Sequence, residues 1–202
     1  MSQVTLAVSE RVQVFKGLVD KDRVSLSLRS PKLFTLAAIY DATNALLGSV
    51  VESNYEEKLA LALDFWEEVA SNIIEWEKVK QGDLKPMELR QEFIHSHAVV
   101  LCAIGAMGQT LISSHPDDWK PHLSKLRTID WRRTNKEWQG VVMSGSDVVN
   151  RRQNRADTAA FLKLKIDLPL TPREERSLKG ATDPSIVIDD LRKLSQPQAT
   201  TH

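Results

Sequence analysis

Three cations, Arg132, Arg133 and Lys136, fall within a span of five residues between two tryptophans, Trp131 and Trp138, in a stretch with neither a helical nor a strand period. Guanidinium and ammonium groups at this density suit phosphate oxygens, which they neutralise and hydrogen-bond. The tryptophans admit two roles: they pin a surface loop to the core through their large apolar area, or they face the ligand themselves. Tryptophan is highly buried on average, so the sequence favours anchoring by Trp131 and Trp138. Asp130 is then expected to accept hydrogen bonds from backbone amides or an arginine and so hold the loop's shape. A second set of cations follows: Arg151, Arg152, Arg155, Lys163 and Lys165. If the loop and the next helix are neighbours, all eight form a phosphate-tracking surface. The competing reading is a solvated face that pairs with the acidic middle of the chain.

Other chemistry is weaker. His95 and His97 are two residues apart, which on a helix separates them by about 200° and keeps them from sharing one ion. Zinc would require further ligands at suitable spacing, and Cys102 sits in an apolar run where a thiol behaves as a small hydrophobe. No metal or cofactor is expected. Ser144-Gly145-Ser146 reads as a turn, and the pairs Glu67-Glu68 and Asp117-Asp118 point different ways on a helix, so neither forms an acid/base dyad. With no phosphate loop, dinucleotide fingerprint or nucleophile elbow, hydrolase and transferase readings have nothing to rest on, and the chain is not expected to be an enzyme.

The elements that must position these residues are helical. At 202 residues, 42% apolar and 27% charged, the chain is sized for one globular domain with a substantial core. The 27 basic and 27 acidic side chains cancel, so global charge selects no partner. Its distribution does: Lys120 to Lys165 holds eleven Lys/Arg against four Asp/Glu, and Glu52 to Glu92 holds five against eleven. The lone cysteine excludes an internal disulfide and, without a signal-peptide apolar region at Met1 to Val19, points to a cytoplasmic setting. The longest apolar run, Ala98 to Met107, is about half a membrane span.

Val4 to Val19 reads as a short helix or an extended arm. Ser30-Pro31 has the form of a helix start, leading through Leu36 and Tyr40 to Gly48. The series Leu59, Ala62, Leu63, Trp66, Val69, Ala70, Ile73 and Trp76 predicts one amphipathic helix ending near Gly82. Pro86 opens a third helix to about Ser113, apolar on all sides in its later part and therefore central; Gly105 and Gly108 within it call for close approach of a neighbour. Pro116 begins a short helix to about Arg127. Another runs from Asp147 or Arg155 to Ile166, and Thr171-Pro172-Arg173-Glu174 is a capping box for a last one. No strand pattern stands out. The expected fold is all-α: a single multi-helix domain over residues 1–180 around the apolar helix at 86–113, with 181–202 a partly disordered extension and Gln196 to His202 disordered.

Several runs, in order, resemble one family. Arg29 to Tyr40, Phe65-Trp66-Glu67-Glu68-Val69, Glu75-Trp76, Glu88-Leu89-Arg90, Ile94-His95-Ser96-His97, Ile129 to Asn135 and Leu168-Pro169-Leu170-Thr171 are similar to the C-terminal helical part of the DNA sulfur modification protein DndB, over about Val12 to Glu175. The N-terminal Asp-Gly-Gln-His-Arg region of that family is absent from this sequence, which therefore reads as a C-terminal part. The resemblance implies a place in a bacterial system that replaces a non-bridging phosphate oxygen of DNA with sulfur, and a DNA-binding repressor of the modification operon. It implies DNA as partner, possible homo-oligomers and contacts with other proteins of the system, and no catalytic residue. The alternative function is a helical dimerisation or docking module that leaves DNA to the missing region.

Overall fold

The computed structural model describes residues 1–27 and 29–195. The fold is all-α, with two minimal two-stranded pairings among the described residues. α1 (Ser2–Arg11) buries Val4 and Val8 on its inner face, and the chain continues through the buried Val12, Val14 and Phe15. β1 (Val19–Asp20) then pairs in parallel with β2 (Phe34–Thr35), Val19 opposite Phe34. α2 spans Leu36–Leu47. It does not begin at Ser30-Pro31, as the sequence suggests, but five residues later, where Thr35 Oγ1 accepts the Ala38 amide at 3.2 Å. Two tertiary contacts explain the delay: the ladder with β1 holds Phe34 and Thr35 extended, and the Arg90 guanidinium binds the carbonyls of Ser27, Ser30 and Lys32, the last two of which a helix starting at Pro31 would have used itself.

The single helix expected from Leu59 to Gly82 is two, α3 (Tyr55–Ser71) and α4 (Ile74–Gln81). Arg127, from a distant segment, closes the end of α3: its Nε donates to Asn72 Oδ1 at 2.8 Å and its Nη2 to the Ser71 carbonyl at 2.6 Å. α4 ends where expected, at Gly82 in the left-handed region (φ 87°).

The helix expected from Pro86 to Ser113 is also divided, into α5 (Pro86–Glu92) and α6 (Ala98–Ser114). Between them Phe93 bridges Arg132, the Ile94 amide donates to the Trp131 carbonyl at 3.0 Å, and the Arg133 amide donates to the Glu92 carbonyl at 2.8 Å. The tryptophan-bracketed segment thus interrupts the helix by pairing with its backbone. α6 is the central helix, packed between α2 and α8 (Arg152–Lys165). Gly105 faces α2 so closely that a methyl group would overlap the Ala42 carbonyl oxygen, and Gly108 faces the Phe65 ring.

α7 (Trp119–Leu123) runs into a 3-10 turn at Ser124–Thr128. After the loop, β3 (Met143–Ser144) and β4 (Asp147–Val148) form a hairpin through Gly145 (φ 61°), then α8 follows. α9 (Pro172–Ala181) has the expected capping box: the Glu174 amide donates to Thr171 Oγ1 at 3.3 Å, and the Thr171 amide donates to Glu174 Oε2 at 2.8 Å. Residues 184–195, expected within an extension, form α10 (Pro184–Ser195), which sits against α8 and α9 with Val187 fully buried. The expectation for Gln196 to His202 lies outside the described residues.

Candidate nucleic-acid interface

An aromatic chain crosses the molecule and fixes the basic loop. Phe34 packs edge-on against Trp76 at 5.2 Å, Trp76 against His95 at 5.8 Å, and His95 against Trp131 at 5.7 Å; Trp131 stacks on Trp138 at 5.6 Å, and Trp138 meets Phe161 of α8 at 5.1 Å. Both loop tryptophans are buried, Trp131 at 3% exposure and Trp138 completely. Their indole N–H groups are satisfied by carbonyls, Trp131 to Leu126 at 3.1 Å and Trp138 to Asp130 at 2.8 Å. Both rings lie in the core beneath the loop, with no face left for a ligand.

His95 is a core residue within that chain. Its Nδ1 accepts the Trp76 indole proton at 2.9 Å, so the neutral ring carries its own proton on Nε2. That nitrogen faces Glu75 Oε2 at 3.5 Å, too long for a good hydrogen bond. Burial holds the imidazole pKa below its ordinary value, although Glu75 opposes the effect. His97 has a different partner, the Arg90 carbonyl, at 3.2 Å from Nε2. Among the described residues, no group of three or more His, Cys, Asp or Glu converges as a metal site.

Asp130 shapes the loop as a clamp. Its Oδ1 accepts the Arg132 amide at 3.1 Å and Nε at 2.8 Å, and its Oδ2 accepts Nη2 at 2.6 Å. The Arg132 guanidinium holds the Asp130 carboxyl below the usual range and is itself raised in return. Asn135 closes the turn, donating from Nδ2 to the Asp130 carbonyl at 3.0 Å and accepting the Glu137 amide at 3.1 Å at the start of the 3-10 turn Lys136–Trp138.

The eight cations divide sharply. Lys163 is 5% exposed and paired with both oxygens of Glu174, at 3.0 and 2.9 Å, so it cannot lie on a phosphate-tracking surface. Burial alone would raise the Glu174 carboxyl, but the Lys163 and Thr171 bonds outweigh it and hold the group low. Lys165 is bound between Glu137 and Asp190, each at 2.8 Å, and joins the loop to α8 and α10. Arg155 turns towards α2, to Asp41 at 3.1 Å and Asn150 at 2.8 Å. These three do structural work, and charge in the sequence could not distinguish them from surface cations.

Arg132 remains exposed although it is paired with Asp130, and Arg133 reaches the Ser146 carbonyl at 2.6 Å and the Gln91 carbonyl at 3.4 Å. Lys136, Arg151 and Arg152 are exposed and have no carboxylate partner among the described residues. They sit on connected pieces. The Gln139 side chain donates to the Gly145 carbonyl at 3.0 Å, Arg133 binds the other side of the hairpin turn, and Arg151 lines a recess with Gln139 and Gly145. Arg152 is the first residue of α8, whose N-terminus has no side-chain cap. The loop, hairpin and start of α8 therefore form one supported surface with net positive charge.

The sequence reading missed Arg90. From the end of α5 its guanidinium holds the carbonyls of Ser27, Ser30 and Lys32, and it lines a cleft with Ser96, His97 and Arg133. A lone arginine inside a mixed-charge helical stretch carries no signal of that role, because its partners are backbone carbonyls about 60 residues earlier.

No curated protein and no solved structure matches the chain. No helix among the described residues is long and apolar enough to cross a membrane. The DndB family model, described as DNA-sulfur modification-associated, matches residues 1–169, the part that holds the aromatic chain, the Asp130 clamp and the basic surface, and the chain belongs to that family.

Proposed function

We propose that this protein is a DNA-binding regulatory component, of the repressor type, in a cytoplasmic DNA phosphorothioate modification system, and that it does no chemistry itself. Family membership supports a role in DNA sulfur modification. The observation that carries the DNA reading is the cluster of exposed, carboxylate-free cations Lys136, Arg151 and Arg152 on a surface held rigid by Trp131, Trp138 and the Asp130 clamp. Such groups bind phosphates without first breaking an internal ion pair. Arg132 and Arg133 flank them, and the uncapped start of α8 adds backbone amides to the same face.

The test is fluorescence anisotropy with promoter duplex across a salt series. Removing two phosphate contacts by Arg151→Glu and Arg152→Glu is expected to weaken binding and to reduce the log–log salt slope by about 1.8. Thermal stability should hold, since neither side chain has an internal partner. Unchanged affinity and slope in that double variant would remove this surface from the function.

A second reading has its own observation. Val24 is 87% exposed and, with Leu6 and Tyr40, borders an apolar groove beside α1 and α2. That groove favours a dimerisation or docking module for the modification proteins. Absence of DNA binding by the wild-type chain, together with dimers in light scattering, would select it.

A further inference from the structure

A cleft of about 360 Å³ opens between β2, the end of α5, the first turn of α6 and the loop at Arg133. Two arginines, Arg90 and Arg133, line it, and among the described residues no aspartate or glutamate does. The volume is near the lower end of the ~300–1,000 Å³ typical of small-molecule sites. Phe34, Val99 and Val148 contribute apolar wall.

Two features at the cationic end have no partner among the described residues. α6 is seventeen residues long and its N-cap residue, His97, makes no side-chain cap, so the amides of Ala98 and Val99 point out of the helix without acceptors at its positive end. Ser96 also lines the cleft; it is 6% exposed, and its Oγ is buried with no hydrogen-bond partner. Buried hydroxyls are nearly always paired, and this one is left over in the cleft wall, two residues before the open helix amides. Arg133 spends two N–H groups on the Gln91 and Ser146 carbonyls, and its guanidinium has five. Burial lowers the His97 pKa to about 4, so the ring beside these donors stays neutral at physiological pH.

We infer that this cleft binds a phosphate group carried on a small organic body. Hydroxyl and amide donors from the start of α6 and guanidinium donors from the distant Arg133 loop border one cleft, which suits the three terminal oxygens of a phosphoryl group better than a flat carboxylate. The room beyond exceeds what a bare ion needs, and its apolar walls suit a mononucleotide-sized body. The inference does not depend on DNA binding at Arg151 and Arg152, because Ser96 and the α6 turn lie outside that surface.

Calorimetric titration with deoxyadenosine monophosphate, and with inorganic phosphate as competitor at constant ionic strength, tests it. Binding of the nucleotide and its displacement by phosphate are expected. Ser96→Ala should weaken binding by about tenfold or more, the scale of one lost hydrogen bond to a charged group. The same variant should melt no lower than wild type, since it removes an unpartnered buried hydroxyl. Arg151→Glu/Arg152→Glu should bind the nucleotide normally. No binding of either probe at millimolar concentration, or wild-type affinity in Ser96→Ala, overturns the assignment. Adding a short DNA duplex separates the two sources of phosphate: a retained nucleotide marks a free small-molecule ligand, and a displaced one marks a phosphate of the DNA strand, and either supports the phosphate site.

Discussion

Replacing Trp131 with alanine is expected to destabilise the protein by about 3–5 kcal/mol, the range for a large aromatic truncated in a core. The structure shows where this comes from. Trp131 is 3% exposed, stacks on Trp138 at 5.6 Å with ring planes 13° apart, and meets His95 edge-on at 5.7 Å. Two aromatic pairs contribute about 1–3 kcal/mol together beyond area burial, and the indole bond to the Leu126 carbonyl about 1 kcal/mol. The residual cavity and lost apolar burial supply the remainder. In a chain of this size each kcal/mol moves the thermal midpoint by roughly 2–4 °C, which predicts a fall of roughly 6–20 °C. Urea unfolding followed by far-UV circular dichroism at neutral pH measures it, with Trp131→Phe as the milder companion that keeps most of the packing but loses the N–H. Lost DNA affinity in the alanine variant should parallel unfolding. A Trp131→Ala protein within about 0.5 kcal/mol of wild type, the usual scatter of surface substitutions, would refute the anchoring role, and selective loss of DNA affinity would make the indole a contact residue.

Two further outcomes follow from the packing. Gly105→Ala should destabilise by about 1–3 kcal/mol, the scale of overpacking, despite alanine's helix propensity, because the added methyl overlaps the Ala42 carbonyl at the α2–α6 crossing; a raised thermal midpoint would show that the helices part at no cost. His97 titrates near 4 in the fold through burial, against 6.5 ordinarily. A depressed pKa gives stability that is fully present above about 6.5 and is lost as pH falls through about 4, on the order of 3 kcal/mol in all. Comparison of urea midpoints from neutral pH down to about 4 should show a smaller loss in His97→Gln than in wild type, and parallel curves would exclude this histidine as the cause.

The sequence alone carried the helical class, the capping box at Thr171, the turn at Ser144-Gly145-Ser146, the central apolar helix with its glycine contacts, and the burial of Trp131 and Trp138. Each is a local or compositional signal. A cap is read from four neighbouring residues, and two indoles in an irregular segment favour burial through their large apolar area. The tertiary structure decided the breaks at Asn72 and at Phe93 to His97, the late start of α2, and the sorting of the cations. In every case the partner is distant in sequence: Arg127 closes α3, the Trp131 and Arg133 backbones interrupt the α5–α6 run, and Arg90 occupies the carbonyls before α2. Lys163 and Lys165 carry the same charge as Arg151 and Arg152. Only the placement of Glu174, Glu137 and Asp190 makes the first two internal ion pairs and leaves the last two available to a partner, because a charge's role is set by the field around it and chain order does not contain that field.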